Sequence, residues 1–345
     1  MRRRDMINGV LGLSVAILTS PAALAAAADP VSGLERALVD PAAGQPAPFA
    51  ELSSALAQAR TAFTGARYTA LSAALPGLIA TAEATRDAAS GRGRDVAHTF
   101  VARAYTLATE LAVKLHYEGA WVAADRALSA ARASGEPQPL REAARVVAIA
   151  MRRAGRGGAA VDFLARTTHH VRTVERTATP DALAATSCLL LTAAYTAAVG
   201  RRRSQALSLL EEAHETATRL PAERSGERLG LLTVEASTME CDMYRISVHN
   251  ALGTPDGAIP YAARLDPTRL SSAERAARHW TECTRMWRHQ DDNRRAYAAL
   301  RAMDRVAPEE VRRPAMRALT ADLLYSPQHL SGLREFAVHT GAVAA

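Results

Sequence analysis

The stretch from Leu111 to Pro137 constrains the fold of this chain more than any other part of the sequence. Apolar residues at helical spacing lead up to Gly119, and small or apolar residues at the same spacing follow it. The first stripe is Leu111, Ala112 and Leu115, and the second is Ala124, Leu128 and Ala131. Gly135 and Pro137 then end the unit. The pattern predicts two helices packed back to back, with a turn at Gly119.

The same unit returns along the chain. A second turn glycine, Gly155, lies 36 residues after Gly119, and further units are centred on Gly200 and on Asp291. The unit around Asp291 is the cleanest, with Trp280, Trp287, Ala296, Leu300, Met303 and Pro308 at its key positions. Spacing and residue types resemble the tetratricopeptide repeat. This resemblance implies an all-α fold, a right-handed α-solenoid of about six helical hairpins with a C-terminal capping helix pair at 309–325 and 328–339.

Prolines modify two of the predicted units. Pro76 should kink the second helix of the first hairpin or mark its first turn. In the most degenerate unit, at 227–265, Pro255 and Pro260 should shorten the second helix.

Composition supports a helical, globular chain and excludes several other classes. Of the 345 residues 48% are hydrophobic, 22% are charged and only 5% are aromatic, which argues against disorder and against a β-sandwich. The net charge is +7, and Lys114 is the single lysine among 42 basic residues. All of the short arginine clusters but the first, at residues 2–4, fall at or near predicted helix ends and turns. Solvated charges are common there, so the clusters are weak evidence for nucleic-acid binding. Three widely spaced cysteines predict buried free thiols.

The N-terminal 48 residues predict two segments that precede the repeat domain at 49–345. Residues 1–30 carry Arg3-Arg4, an apolar run and an alanine-rich site at 26–28, which resemble a twin-arginine export signal. Residues 31–48 read as a linker with one short helix at 34–39. We expect a cytoplasmic protein, and the alternative is export by the twin-arginine route or N-terminal association with a membrane.

Three phrases of the sequence carry a resemblance to a known family. They are LERALVDP at 34–41, AWVAADRALSAARASGEP at 120–137, and VAPEEVRRPAMRALTADLL at 306–324 followed by LREFAVHTG. They resemble the C-terminal tetratricopeptide-like domain of Xre/Cro-family helix-turn-helix transcriptional regulators from high-GC, actinobacterial-type bacteria. The resemblance implies a regulatory or signal-sensing domain that binds a protein, peptide or small signal. Because no helix-turn-helix precedes the first hairpin, we expect no direct nucleic-acid binding and an indirect effect on transcription.

Motifs for catalysis or metal binding are weak throughout the sequence. His169-His170 are adjacent, so on a helix they diverge and cannot clamp one metal. Asp291-Asp292 lie at a repeat turn and are followed by Asn and Arg, which does not suit a magnesium site. No nucleophile elbow, zinc motif or usable Cys–His pairing is apparent. We therefore expect no enzyme, no cofactor and no metal, and we keep an all-α enzyme with an unrecognised pocket as a third hypothesis.

One set of residues predicts a binding groove on the first helices of the hairpins, which line the concave face in repeats of this kind. Its members are Thr109, Val113 and His116 in one unit, Arg145, Ile149 and Arg152 in the next, and Thr281, Arg285 and Arg288 in the last. Arginines on such a wall can take a peptide carboxylate or an acidic side chain through paired donors. The alternative is that these are solvated surface residues. The expected partner is a protein or peptide, with a separate DNA-binding regulator as one candidate and self-association as another.

Overall fold

Every secondary-structure element in the described residues is helical, which confirms the predicted all-α class. The structure is a computed structural model that describes residues 30–174, 179–220 and 236–344. Several helices begin at a side-chain cap. The side chains of Thr179, Ser237, Ser272 and Asp292 each accept a hydrogen bond from the backbone N–H three residues further on. These caps stabilise helices by satisfying an N–H group that would otherwise lack a partner.

The chain forms two units, and the first runs to Pro139 apart from residues 64–66. Its helices are α1 (Pro30–Val39), α2 (Phe49–Thr64), α3 (Tyr68–Ala88), α4 (Gly91–Leu115) and α5 (Ala120–Ser134). Helix α4 packs against α3 and α5, and α1 packs against α3 and α4. Within the stretch predicted to be a linker, α1 is longer than expected and buries Leu34 and Leu38 completely or nearly so.

The second unit runs from Leu140 to the C-terminus and contains the remaining helices. They are α6 (Pro137–Arg153), α7 (Gly157–Val174), α8 (Pro180–Val199), α9 (Arg203–Thr218), α10 (Thr238–Leu252), α11 (Ile259–Arg264), α12 (Ala273–His289), α13 (Asn293–Val306), α14 (Pro308–Val311), α15 (Pro314–Leu324) and α16 (Leu333–Thr340). Helix α8 packs against α7, α9 and α10, and α10 packs in turn against α9, α11 and α12. Helix α12 then packs against α13, α13 against α15, and α15 against α16.

The turns between paired helices share one geometry. After the last helical turn, one residue adopts a left-handed φ of 53° to 74°, and the next N–H donates to the carbonyl five residues earlier over 2.8 to 3.0 Å. The left-handed residues are Ala66, His116, Gly155, Arg201, Gly253 and Asp291. This backbone bond closes the carbonyl end of a helix, and the following helix can then reverse direction.

Gly119 and Gly200 lie in the turns between paired helices, as predicted. The residues that take the left-handed conformation in these two turns are His116 and Arg201. The left-handed residue is the one just before the N–H that donates back five residues to the end of the helix. At both turns this residue is not glycine, and its backbone is strained. Gly119 instead precedes α5, where an added Cβ would lie 2.2 Å from the ring of Tyr117. A side chain at 119 would therefore require the ring of Tyr117 to move.

Prolines account for most differences in helix bounds. Pro76 lies inside α3, which continues through it, whereas Pro314 begins α15 and breaks the helix predicted at 309–325 into α14 and α15. The second predicted capping helix is shortened to Leu333–Thr340. In the degenerate unit, the prolines limit α11 to six residues, as expected. Residues 1–29 and 227–235 carry predictions that lie outside the described residues.

Helix α8 is the one described helix that is long and apolar enough to cross a membrane. Of its apolar window, 83% is buried inside the protein. Leu191, Ala194 and Ala198 pack in a core with residues of α9 and α10. The composition of α8 is thus that of a central core helix.

Candidate functional site

Four helices of the second unit, α6, α8, α10 and α12, carry polar side chains that contact one another. Helix α8 packs against α10 and α10 packs against α12, and Arg152 of α6 contacts Tyr195 and Thr196 of α8. Equivalent positions lie six residues before each left-handed turn residue, and they hold Ile149, Tyr195, Ser247 and Arg285. The predicted groove positions Ile149 and Arg285 therefore share a register with Tyr195, which the prediction omitted.

Two arginines lie over the ring of Tyr195. The Cζ atom of Arg152 is 4.7 Å from the ring centroid, and the Cζ atom of Arg278 is 5.4 Å from it. The two guanidinium carbons are therefore no further apart than the sum of these distances. Tyr244 on α10 lies close enough to both arginines to affect their titration. We call Arg152, Tyr195, Tyr244 and Arg278 the Arg152 cluster.

Arg152 stands out because no carboxylate pairs with it among the described residues. Its hydrogen bond there is a long one, from Nη1 to Thr196 Oγ1 at 3.4 Å. Burial lowers the pKa of Arg152, and the positive charge of Arg278 lowers it further. The group remains a cation at neutral pH, because an arginine titrates far above that range. The Arg152 residue as a whole keeps some exposure to solvent.

Arg278, in contrast, is neutralised by a buried carboxylate. Its Nη2 lies 2.9 Å from Oε1 of Glu282, a residue that is 1% exposed. Arg285 donates to the same oxygen over 3.1 Å, and Asn250 on α10 donates to Oε2 over 3.0 Å. Burial opposes the charge of Glu282, but Arg278 and Arg285 lower its pKa nevertheless. Glu282 thus holds α10 and α12 together and fixes the positions of both arginines.

A second buried ion group lies one turn earlier on α12. Arg275 donates to Glu274 over 2.6 Å and to Glu240 on α10 over 2.9 Å. All three side chains are nearly inaccessible to solvent. Burial opposes the charge of Arg275, yet the two carboxylates raise its pKa well above the ordinary value. Two buried carboxylates thus hold one buried cation between α10 and α12, which suits a structural role.

The structure reveals a Cys–His contact that the sequence reading did not find. Cys283 Sγ lies 3.4 Å from Nε2 of His279, one turn earlier on α12. Burial raises the pKa of the Cys283 thiol to about 12 and lowers the pKa of His279 to about 4. Both groups are therefore neutral at pH 7, and the pair lacks the thiolate that a nucleophile needs. The spacing of four residues on a predicted helix was the available signal.

The three predicted groove residues of the first unit lie in different environments. Thr109 is fully buried and its hydroxyl donates to Tyr105 O over 2.8 Å. Val113 is half-buried, and His116 is exposed at the left-handed turn that ends α4.

The six predicted residues of the second unit divide into buried, paired and available groups. Arg145 and Thr281 are buried, and Thr281 donates to Ala277 O over 2.9 Å. Arg285 pairs with Glu282, and Arg288 pairs with Asp322 through Nε over 2.7 Å. Ile149 is half-buried. Only Arg152 combines access to solvent with a charge that no described carboxylate neutralises.

No group of three or more His, Cys, Asp or Glu side chains suited to a metal ion occurs in the part of the chain that the structure describes. Comparisons with protein-family models, curated proteins and solved structures found no match. Function must therefore be argued from the site itself.

Proposed function

We propose that this protein is a non-enzymatic α-solenoid of tetratricopeptide-like hairpins that binds a protein, peptide or small signal and modulates transcription indirectly. The recurring left-handed turns support the repeat arrangement. So does the packing of α8, α9 and α10 in the second unit, where one hairpin contacts the first helix of the next. Right-handed stacking and the family resemblance are parts of this proposal.

The observation that carries the binding role is the cation of Arg152 beside two tyrosines on the first helices. A charged group that is partly withdrawn from water without a counter-ion costs stability, and proteins keep such groups where they serve recognition. The His279–Cys283 pair, with both groups neutral, adds no reason to expect covalent chemistry. Together these features favour a binding surface over an active site.

Affinity purification of the full chain from its host tests the proposal. We expect a regulator or peptide to be retained by the wild-type chain and by Arg172→Met, which removes an exposed arginine of α7. Recovery of no such partner, combined with turnover of a metabolite by the purified chain, would defeat the binding role.

We further propose a cytoplasmic location, with export through the twin-arginine route as the rival. Arg3 and Arg4 motivate the rival, and they lie outside the described residues. Replacement of both by lysine should leave a cytoplasmic protein where it is and should trap an exported precursor, as cell fractionation will show.

A further inference from the structure

We propose that the Arg152 cluster is a binding site for a carboxylate group, which Arg152 holds through its guanidinium fork while the hydroxyls of Tyr195 and Tyr244 donate hydrogen bonds. This inference rests on the proposed function, since it names the chemistry that the binding surface recognises. The carboxylate can belong to a peptide or to a small organic acid.

Arg152 and the two tyrosines of the cluster have unused hydrogen-bond donors. Arg152 has no carboxylate partner among the described residues, and its bond to Thr196 Oγ1 is long at 3.4 Å. The hydroxyls of Tyr195 and Tyr244 likewise have no hydrogen-bond partner in the described part of the protein, although both side chains are half-buried. A carboxylate accepts from a guanidinium fork and still has lone pairs for a phenol. It would satisfy these donors together.

Two cations approach the ring of Tyr195 from different helices. Arg152 comes from α6 and Arg278 from α12. Like charges held close repel each other, so an anion bound at Arg152 would relieve part of this repulsion.

The charge of Arg152 is matched by a single carboxylate. Arg278 shares the carboxylate of Glu282 with Arg285, and Arg313 is paired with buried Glu310. Arg152 has no such partner among the described residues, so one singly charged carboxylate suffices to neutralise it. Phosphate serves as the competing anion in the test below.

The matched variants follow from the same contacts. Arg152→Met keeps an apolar stem over Tyr195 but removes the fork, and Arg152→Lys keeps the charge without the fork. Tyr195→Phe removes one hydroxyl and leaves the ring. Arg172→Met removes a similar charge that is paired with Glu212 on the exposed side of α7 and α9, at 46% and 40% side-chain exposure.

Isothermal titration of the full chain tests the site with four probes. They are benzoate, the acetylated pentapeptide Ala-Ala-Ala-Ala-Phe with a free C-terminal carboxylate, the same peptide with an amidated C-terminus, and inorganic phosphate. We expect saturable binding of the free-acid peptide or benzoate and none of the amide. Arg152→Met and Arg152→Lys should weaken that binding about ten- to a hundredfold, Tyr195→Phe severalfold, and Arg172→Met not at all.

The relative affinities of the probes identify the source of the carboxylate. If the free-acid peptide binds more tightly than benzoate, the natural ligand is a peptide C-terminus, and if benzoate binds more tightly, it is a small organic acid. Equal binding by Arg152→Met and the wild type, or tighter binding of phosphate than of either acid, would overturn the inference. If Arg152→Met does not fold, the same comparison is made with Arg152→Lys, and binding equal to that of the wild type would overturn the inference. A host partner that Arg152→Met still retains would refute this site while leaving the proposed binding function intact.

Discussion

Replacement of Gly155 by alanine tests whether the left-handed turns shape the repeats in solution. Gly155 ends α6 with a φ of 74°, and an added Cβ would meet no atom within 4 Å. The effect of the substitution is therefore conformational alone. An L-residue in the left-handed region costs about 1–2 kcal/mol. The lower entropy of unfolded alanine offsets about 0.4–1 kcal/mol of this, so we expect a net loss of about 1 kcal/mol.

Thermal unfolding followed by circular dichroism measures the effect. For a unit of the size of residues 140–345, a loss of about 1 kcal/mol lowers Tm by about 2–4 °C. Gly158→Ala, three residues later in the first turn of α7, is the matched control. Its φ is not left-handed and its Cβ would make ordinary contact with Arg202 at 3.7 Å. Alanine there should raise stability by about 0.5 kcal/mol. If both variants shift Tm upwards, the turn geometry is wrong.

Three further outcomes follow from the buried groups of α8, α10 and α12. Glu282→Gln should lower the free energy of unfolding by about 2 kcal/mol in urea titration, below the roughly 3–5 kcal/mol of a fully buried pair because Arg278 and Arg285 keep access to water. Since the pKa of Glu282 is lowered on folding, its contribution is present above the ordinary carboxyl pKa and is lost as pH falls through the lowered value. The pKa of His279 is about 4 in the folded protein against an ordinary 6.5, so the unfolded chain binds a proton more readily. The free energy of unfolding should therefore fall as pH drops from 6.5 to about 4. His279→Phe should flatten that pH dependence in urea titrations. Native protein should expose none of its three buried thiols to Ellman's reagent at pH 8, and full labelling without denaturant would contradict their burial.

The helical class and most helix pairs could be predicted because apolar spacing is a local signal. The stripe of Leu111, Ala112 and Leu115 belongs to one continuous helix, α4, and the small residues that follow Gly119 belong to α5, which packs against α4. The first and last residues of the helices were harder to predict from the sequence. The break before Pro314 depends on which turn of a helix the ring falls in, and the same residue type at Pro76 leaves α3 continuous.

The candidate site was only partly predictable. Arg152 was named from its place on a first helix, but Arg285 and Arg288 are neutralised by Glu282 and Asp322. Such ion pairs join residues that are distant in sequence, or they depend on the direction of the side chains. The spacing of apolar residues along a helix reveals neither. Tyr195 lies six residues before the left-handed Arg201, a register that became apparent only once the structure located the left-handed residue of this turn.

Photo-cross-linking from the Arg152 cluster tests the central claim most directly. The photoreactive residue p-benzoylphenylalanine would replace Tyr195 in the full chain expressed in its host, and a matched chain would carry it at Ala165, an exposed position on α7. A binding surface on the first helices predicts a discrete covalent adduct from position 195 that disappears when free-acid peptide is added, and none from position 165. Adducts from 165 alone, or from neither position, would contradict the account.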